Sequence, residues 1–218
     1  MIISHKYQFI FLRTEKTAGT SLSHALAEFL GEDDVRADMS RPSWASFSPI
    51  HHGALKRNFP KYFGLHAHAT AAQIRSVIGA GIFDSYYKFA VERNPWDRQV
   101  SLYFQRYPKR QRRHTPNFSR DLASPYFRST EYVRLNNWAN YAIDNSVVAD
   151  DVILYHRLEE GLKNLKERLS LPKNIQLGKE RSGFRDDKGD YRRHYTDKTH
   201  ALIGRWYARE IKEFGFMF

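Results

Sequence analysis

Apolar and polar positions along this chain follow two rhythms that take turns. Phe9, Ile10, Phe11 and Leu12 form an unbroken apolar run, the pattern of a strand buried on both faces of a parallel sheet. Past a short stretch of small and hydroxyl residues, Leu22, Ala25, Leu26, Phe29 and Leu30 recur at helical spacing, and Gly31 supplies a stop. The same succession returns further on. Tyr86 to Val91 reads as a second buried strand, followed by Asn94 as N-cap, Pro95 at the first helical position, and Trp96, Val100, Tyr103 and Tyr107 on the core side of a helix. Asp151 to His156 holds Val-Ile-Leu-Tyr, a third buried strand, ahead of a helix with Leu158, Leu162, Leu165 and Leu169. Thr196 opens a terminal helix in which Ile203, Tyr207, Ile211 and Phe214 repeat. Helical segments lie near 130 to 143, and residues 31 to 63 read as irregular. Strands that alternate with helices predict an α/β fold with a central parallel sheet of about four or five strands. With no internal repeat and no linker, residues 1–218 read as a single domain, large enough for a real core.

Candidate chemistry gathers where strands hand over to helices. In Glu15-Lys16-Thr17-Ala18-Gly19-Thr20-Ser21 the unpaired N–H groups of a helix start would point into the loop, and the helix dipole adds partial positive charge. Gly19 lets the backbone come close, Thr20 and Ser21 offer hydroxyls, and Lys16 brings a full charge. A nucleotide triphosphatase loop places its lysine just before the helix and after the glycines; here Lys16 precedes Gly19. An ordinary strand-to-helix turn with a solvated lysine has the same local pattern. At the second handover Arg93 ends a strand, and Asp97 and Ser101 lie one turn apart on the helix side that faces back toward it. Arg93 and Ser101 can grip one phosphate, as fork and hydroxyl; a local Arg93–Asp97 ion pair is the alternative.

Before the helix that Thr70 caps, with Ile74, Val77 and Ile78 on its buried side, His66 and His68 stand two apart. In an extended stretch both rings face the same way. A histidine accepts a hydroxyl proton near neutral pH, and no third ligand at matching spacing points to a metal.

Charge narrows the partners. Thirty-five basic against twenty-four acidic side chains leave +11, which favours anions. Arg106, Lys109, Arg110, Arg112, Arg113 and Arg120 come with no acid among them; such a run fits an anionic acceptor such as an acidic sugar chain, or a solvated loop. Cysteine is absent, so there is no disulfide framework.

Taken together, the loop at 15–21 and Arg93-Asn94-Pro95-Trp96-Asp97-Arg98-Gln99-Val100-Ser101 resemble the paired motifs of sulfotransferases that use 3′-phosphoadenosine 5′-phosphosulfate (PAPS), particularly the carbohydrate-type group with bacterial members and the heparan-sulfate 2-O-sulfotransferase relatives. Glu15 replaces the usual proline. The resemblance implies a P-loop-like three-layer fold, with Lys16, Thr17, Ala18, Gly19, Thr20 and Ser21 on the 5′-phosphosulfate and Arg93 and Ser101 on the 3′-phosphate. The stretch from Arg185 to Thr196 resembles the family's late loop, which assigns Arg185 and Lys188 to the 3′-phosphate and Tyr191 to covering the nucleotide. It also puts His68 where the 2-O-sulfotransferase relatives carry their base in an H-x-H element, with His66 beside it as the second candidate.

The implied reaction is in-line sulfuryl transfer from PAPS to an acceptor hydroxyl on a carbohydrate. Adenosine 3′,5′-bisphosphate (PAP) is the product, Lys16 meets the charge on the leaving oxygen, and no metal is required. The run from Phe9 to Leu12 is too short for a membrane span and lacks a cleavage site. Animal Golgi relatives carry an anchor ahead of this strand, so the expectation is a bacterial, cytoplasmic enzyme with no nucleic-acid partner. A P-loop kinase would share the cradle but wants a Walker lysine and a magnesium-binding acid. A basic nucleic-acid-binding module would explain the charge but not the motif spacing.

Overall fold

The computed structural model describes residues 1–37, 64–106, 117–130, 134–178 and 189–218. These form two compact units, Met1–Glu92 with Asn136–Glu180, and Arg93–Leu135 with Arg181–Phe218.

The first unit is built on β1 (Ile2–Ser4), β2 (Phe9–Leu12), β3 (Val35–Arg36), β4 (Tyr87–Glu92) and β7 (Asp151–Leu154), with a small hairpin of β5 (Ala142–Ile143) and β6 (Ser146–Val147) beside them. Sheet order is β3-β1-β2-β4-β7. β2, β4 and β7 run parallel, whereas β1 pairs antiparallel with both β2 and β3. The sheet is thus five-stranded and mostly parallel, and β1 is a strand that the apolar pattern did not announce. Three residues carry too little periodicity; β1 exists because Ile2 and Ile3 pair on both sides.

Alternation across the strands feeds two buried faces. Phe9, Phe11, Phe89 and Val91 pack with Leu22 and Leu26 of α1 (Gly19–Ala27) and Leu162 and Leu165 of the Leu158–Arg168 helix. Phe11 and Phe89 are register partners whose rings stack with centroids 5.1 Å apart. On the other face Ile10, Leu12 and Ala90 are also fully buried, as a strand covered on both sides requires. The Leu158–Arg168 helix lies so close to β7 that a Cβ on Gly161 would sit 2.3 Å from Ile153 Cγ2.

Two expected elements are shorter here. α1 ends at Ala27, because Phe29 and Leu30 donate to Leu26 and Ala27 three residues back, a tightened last turn; their side chains still reach the core. β7 stops at Leu154 before a 3₁₀ turn at Tyr155–Arg157, and only Ile153 of it is buried, as suits an edge strand. The remaining helices of this unit are α2 (Ala71–Ile78), α3 (Ala80–Ser85) and α7 (Trp138–Tyr141). Thr70 caps α2 in a full capping box with Gln73.

The second unit contains α4 (Pro95–Arg106), α5 (Phe118–Ala123), α6 (Pro125–Thr130), a 3₁₀ turn at Tyr191–His194, α9 (Asp197–Trp206) and α10 (Ala208–Phe214); α8 denotes Leu158–Arg168 of the first unit. Asn94 caps α4 by accepting the Trp96 N–H at 3.0 Å. Trp96, Val100 and Tyr103 are buried as the spacing predicts, while Tyr107 lies outside the described residues. Thr196 caps α9, but the expected single terminal helix breaks at Tyr207, whose φ of −118° is not helical. Its buried ring lies under the Arg98 guanidinium, with 4.6 Å from centroid to carbon.

Candidate active site

Between β2 and α1 the chain makes a tight, loaded loop. Lys16 and Ala18 both take left-handed backbone angles, φ 65° and 60°, which cost a non-glycine residue about 1 kcal/mol or more each. Ala18 is the N-cap of α1 and makes no side-chain cap bond, and the first turn has no acidic residue. The positive end of α1 is therefore not neutralised from within its own first turn, and the N–H groups of Gly19, Thr20 and Ser21 fit an anion.

Arg13, which sequence reasoning passed over, sits beneath this loop. Its guanidinium is buried, donating to Thr20 Oγ1 at 2.8 Å and Ser23 Oγ at 3.4 Å. Gly19 makes room for it: a Cβ there would lie 2.9 Å from Arg13 Nε and 3.3 Å from the Thr14 carbonyl oxygen. The close approach that Gly19 permits is thus that of an arginine. Thr17 is fully buried. The single hydroxyl proton of Thr14 goes to the Val91 carbonyl, so across the 2.7 Å contact between them the Thr17 hydroxyl is the donor to Thr14. Glu15, standing where the resembling motif has proline, is clamped by Asn137, whose Oδ1 accepts the Glu15 N–H at 3.0 Å and whose Nδ2 donates to the Glu15 carbonyl at 3.1 Å. A proline would have no N–H for that clamp.

The histidine pair joins the same unit. Residues 66–69 form a turn rather than the expected extended stretch, because Ala69 N–H donates to the His66 carbonyl at 3.1 Å. The His68 N–H also points at His66 Nδ1, 3.3 Å away. His68 Nδ1 lies 3.0 Å from the Arg13 carbonyl oxygen, which brings the ring to the start of the loop. Burial, then the nearby Arg13 guanidinium, push His68 down to about 3. Burial also lowers His66, with the Met1 amino group adding to it. Both rings are neutral at pH 7.

In the second unit Arg93 Nε donates to Asp97 Oδ2 at 2.7 Å, the ion pair that the spacing allowed. Ser101 is half-buried on the same helix. Tyr191 meets this end of α4, since Asn94 Nδ2 lies 3.3 Å from its hydroxyl and 2.7 Å from the Met217 carbonyl oxygen. Burial raises the Tyr191 phenol. Arg98 of the motif turns inward, 0 % exposed and 4.0 Å from Glu210. Arg185 and Lys188 lie outside the described residues, as does most of the basic run from Arg106 to Arg120.

Among the described residues no group of three or more His, Cys, Asp or Glu could hold a metal ion, and no helix is long and apolar enough to cross a membrane. The sequence pattern of the sulfotransferase family matches residues 1–216. An uncharacterized protein of Archaeoglobus fulgidus is 29% identical over 111 residues, 49% of this chain and 87% of that relative. No solved structure gives a significant match.

Proposed function

The chain belongs to the sulfotransferase family, and from that premise we propose that it moves the sulfuryl group of PAPS to a hydroxyl of a carbohydrate acceptor. The observation that carries this reading is the pairing, in one unit, of an anion-ready helix start with a neutral histidine hydrogen-bonded to the strand end beneath it.

PAPS supplies a sulfuryl group bound through a phosphate oxygen that can leave with the electron pair. Lys16 and the N–H groups at Thr17 to Ser21 hold that phosphate and meet the charge on its oxygen. Arg13 adds a buried positive charge under the same turn. Arg93 and Ser101 take the 3′-phosphate, with Arg185 and Lys188 assisting and Tyr191 covering the nucleotide. His68 accepts the acceptor's proton at Nε2, because a carbonyl can only accept and Nδ1 therefore carries the hydrogen toward Arg13. A pKa near 3 makes a weak base, but a bound anion opposes the effect of Arg13 and raises it. The H-x-H element, which resembles that of sugar-modifying members, favours a carbohydrate.

The test is thermal stabilisation by PAP, ATP and DNA in parallel, followed by transfer of label from PAPS to a panel of hydroxyl acceptors. Stabilisation by PAP and labelling of a sugar are expected; stabilisation by ATP alone would replace this reading with a kinase-like one. His68→Ala should abolish transfer while PAP still binds, and unchanged turnover would move the base to His66.

A further inference from the structure

One short helix touches both the loop before Lys16 and the histidine turn of the first-unit site. In Asn137-Trp138-Ala139-Asn140-Tyr141, positions 137, 140 and 141 share a helix face by their spacing, and all three are buried, at 1, 5 and 0 % exposure. Asn137 holds both backbone groups of Glu15 and, through Nδ2, approaches Glu92 Oε1 at 3.4 Å. Asn140 Nδ2 donates to the carbonyls of His68 at 2.8 Å and Ala69 at 3.3 Å. The Tyr141 hydroxyl donates to Glu92 Oε2 at 2.9 Å. Glu92 is the last residue of β4 and is 0 % exposed.

Such groups are costly in a core, where apolar side chains of similar volume pack without desolvation penalty. Their contacts point to placement. Glu15 immediately precedes Lys16, whose left-handed backbone must be held by its surroundings. His68 is fixed from the ring side by Arg13 and from the backbone side by Asn140. Glu92 anchors the helix to the end of β4 through two hydrogen bonds to one carboxylate.

We propose that Asn137 and Asn140 are positioning residues, Asn137 setting the Lys16 loop and Asn140 the His68 turn, with the Glu92–Tyr141 contact as their common anchor. The inference rests on the sulfotransferase reading for the roles of Lys16 and His68. It acts on geometry, and a displacement of about 1 Å at a reacting group can cost on the order of 100-fold in rate.

The experiment compares the full-length wild type with Asn137→Ala and Asn140→Ala by PAP calorimetry, amide hydrogen exchange at residues 13–21 and 66–69, and kcat and KM. Asn137→Ala should weaken PAP by about tenfold, the loss of one well-placed strap, and speed exchange in the loop. Asn140→Ala should keep PAP affinity within about twofold and lower kcat by roughly 100-fold. Tyr141→Phe keeps the ring and removes only the hydroxyl, so it stands in if Asn137→Ala does not fold, and it should shift exchange and affinity the same way. Wild-type exchange at 13–21 and wild-type PAP affinity in folded Asn137→Ala, or wild-type exchange at 66–69 and wild-type kcat in folded Asn140→Ala, overturns the proposal. A wild type that does not bind PAP overturns the donor reading instead, and the exchange measurement still decides whether Asn137 and Asn140 hold their segments.

Discussion

His68 Nδ1 and the carbonyl oxygen of Arg13 are 3.0 Å apart, and this contact selects the ring's tautomer. With the hydrogen held at Nδ1, the ring's lone pair is at Nε2.

Acid should therefore unfold this protein partly through His68. In the unfolded chain the imidazole takes a proton near 6.5, whereas in the folded chain it waits until about 3. Between those values the unfolded state binds more protons, so the stabilisation is complete above 6.5 and is lost as pH falls toward 3, with a slope of at most about 1.4 kcal/mol per pH unit. Lowering of His66 adds in the same direction. Melting temperatures of wild type and His68→Asn across this window check it: the variant's profile should be flatter, and parallel profiles would remove His68 from the account.

Arg13→Met should raise the His68 pKa without returning it to 6.5, because burial ranks above the guanidinium among the causes of its depression. Imidazole chemical shifts followed against pH in both proteins give the result. No upward move in the variant would mean that the arginine's charge does not reach the ring.

Lys16→Ala should lower kcat by about 10²- to 10³-fold if the ammonium meets charge that develops on the leaving oxygen. Single-turnover transfer from PAPS separates this from weaker donor binding. A change in KM alone would make Lys16 a binding residue only.

Arg98→Met should damage the second unit's stability. The guanidinium is fully buried, over the Tyr207 ring and 4.0 Å from Glu210, and removing one charge of a buried pair costs about 3 to 5 kcal/mol. Denaturant unfolding measures the loss. A variant of wild-type stability that fails to bind PAP would instead put Arg98 in the binding machinery.

Where a feature depends on a few neighbouring residues, the chain spells it out. β2 is a continuous apolar run, β4 is mostly apolar with Lys88 inside it and Glu92 at its end, and Thr70, Asn94 and Thr196 cap their helices as placed. The loop after β2 and the Arg93-to-Ser101 spacing carry the family resemblance, and the family match spans them. Local periodicity and capping follow from backbone geometry within one or two turns, so sequence suffices for them. Partners distant in the chain were not legible. Asn137 reaches Glu15 across 122 residues and Asn140 reaches His68 across 72. Arg13 looks like a solvated residue at a strand end until Gly19, lacking a Cβ, lets the guanidinium slide under the loop. The His66–His68 segment turns because Ala69 N–H closes back on His66. Those choices were made by strand order and packing, which decide which buried polar groups can find each other, and only the tertiary structure contains that information.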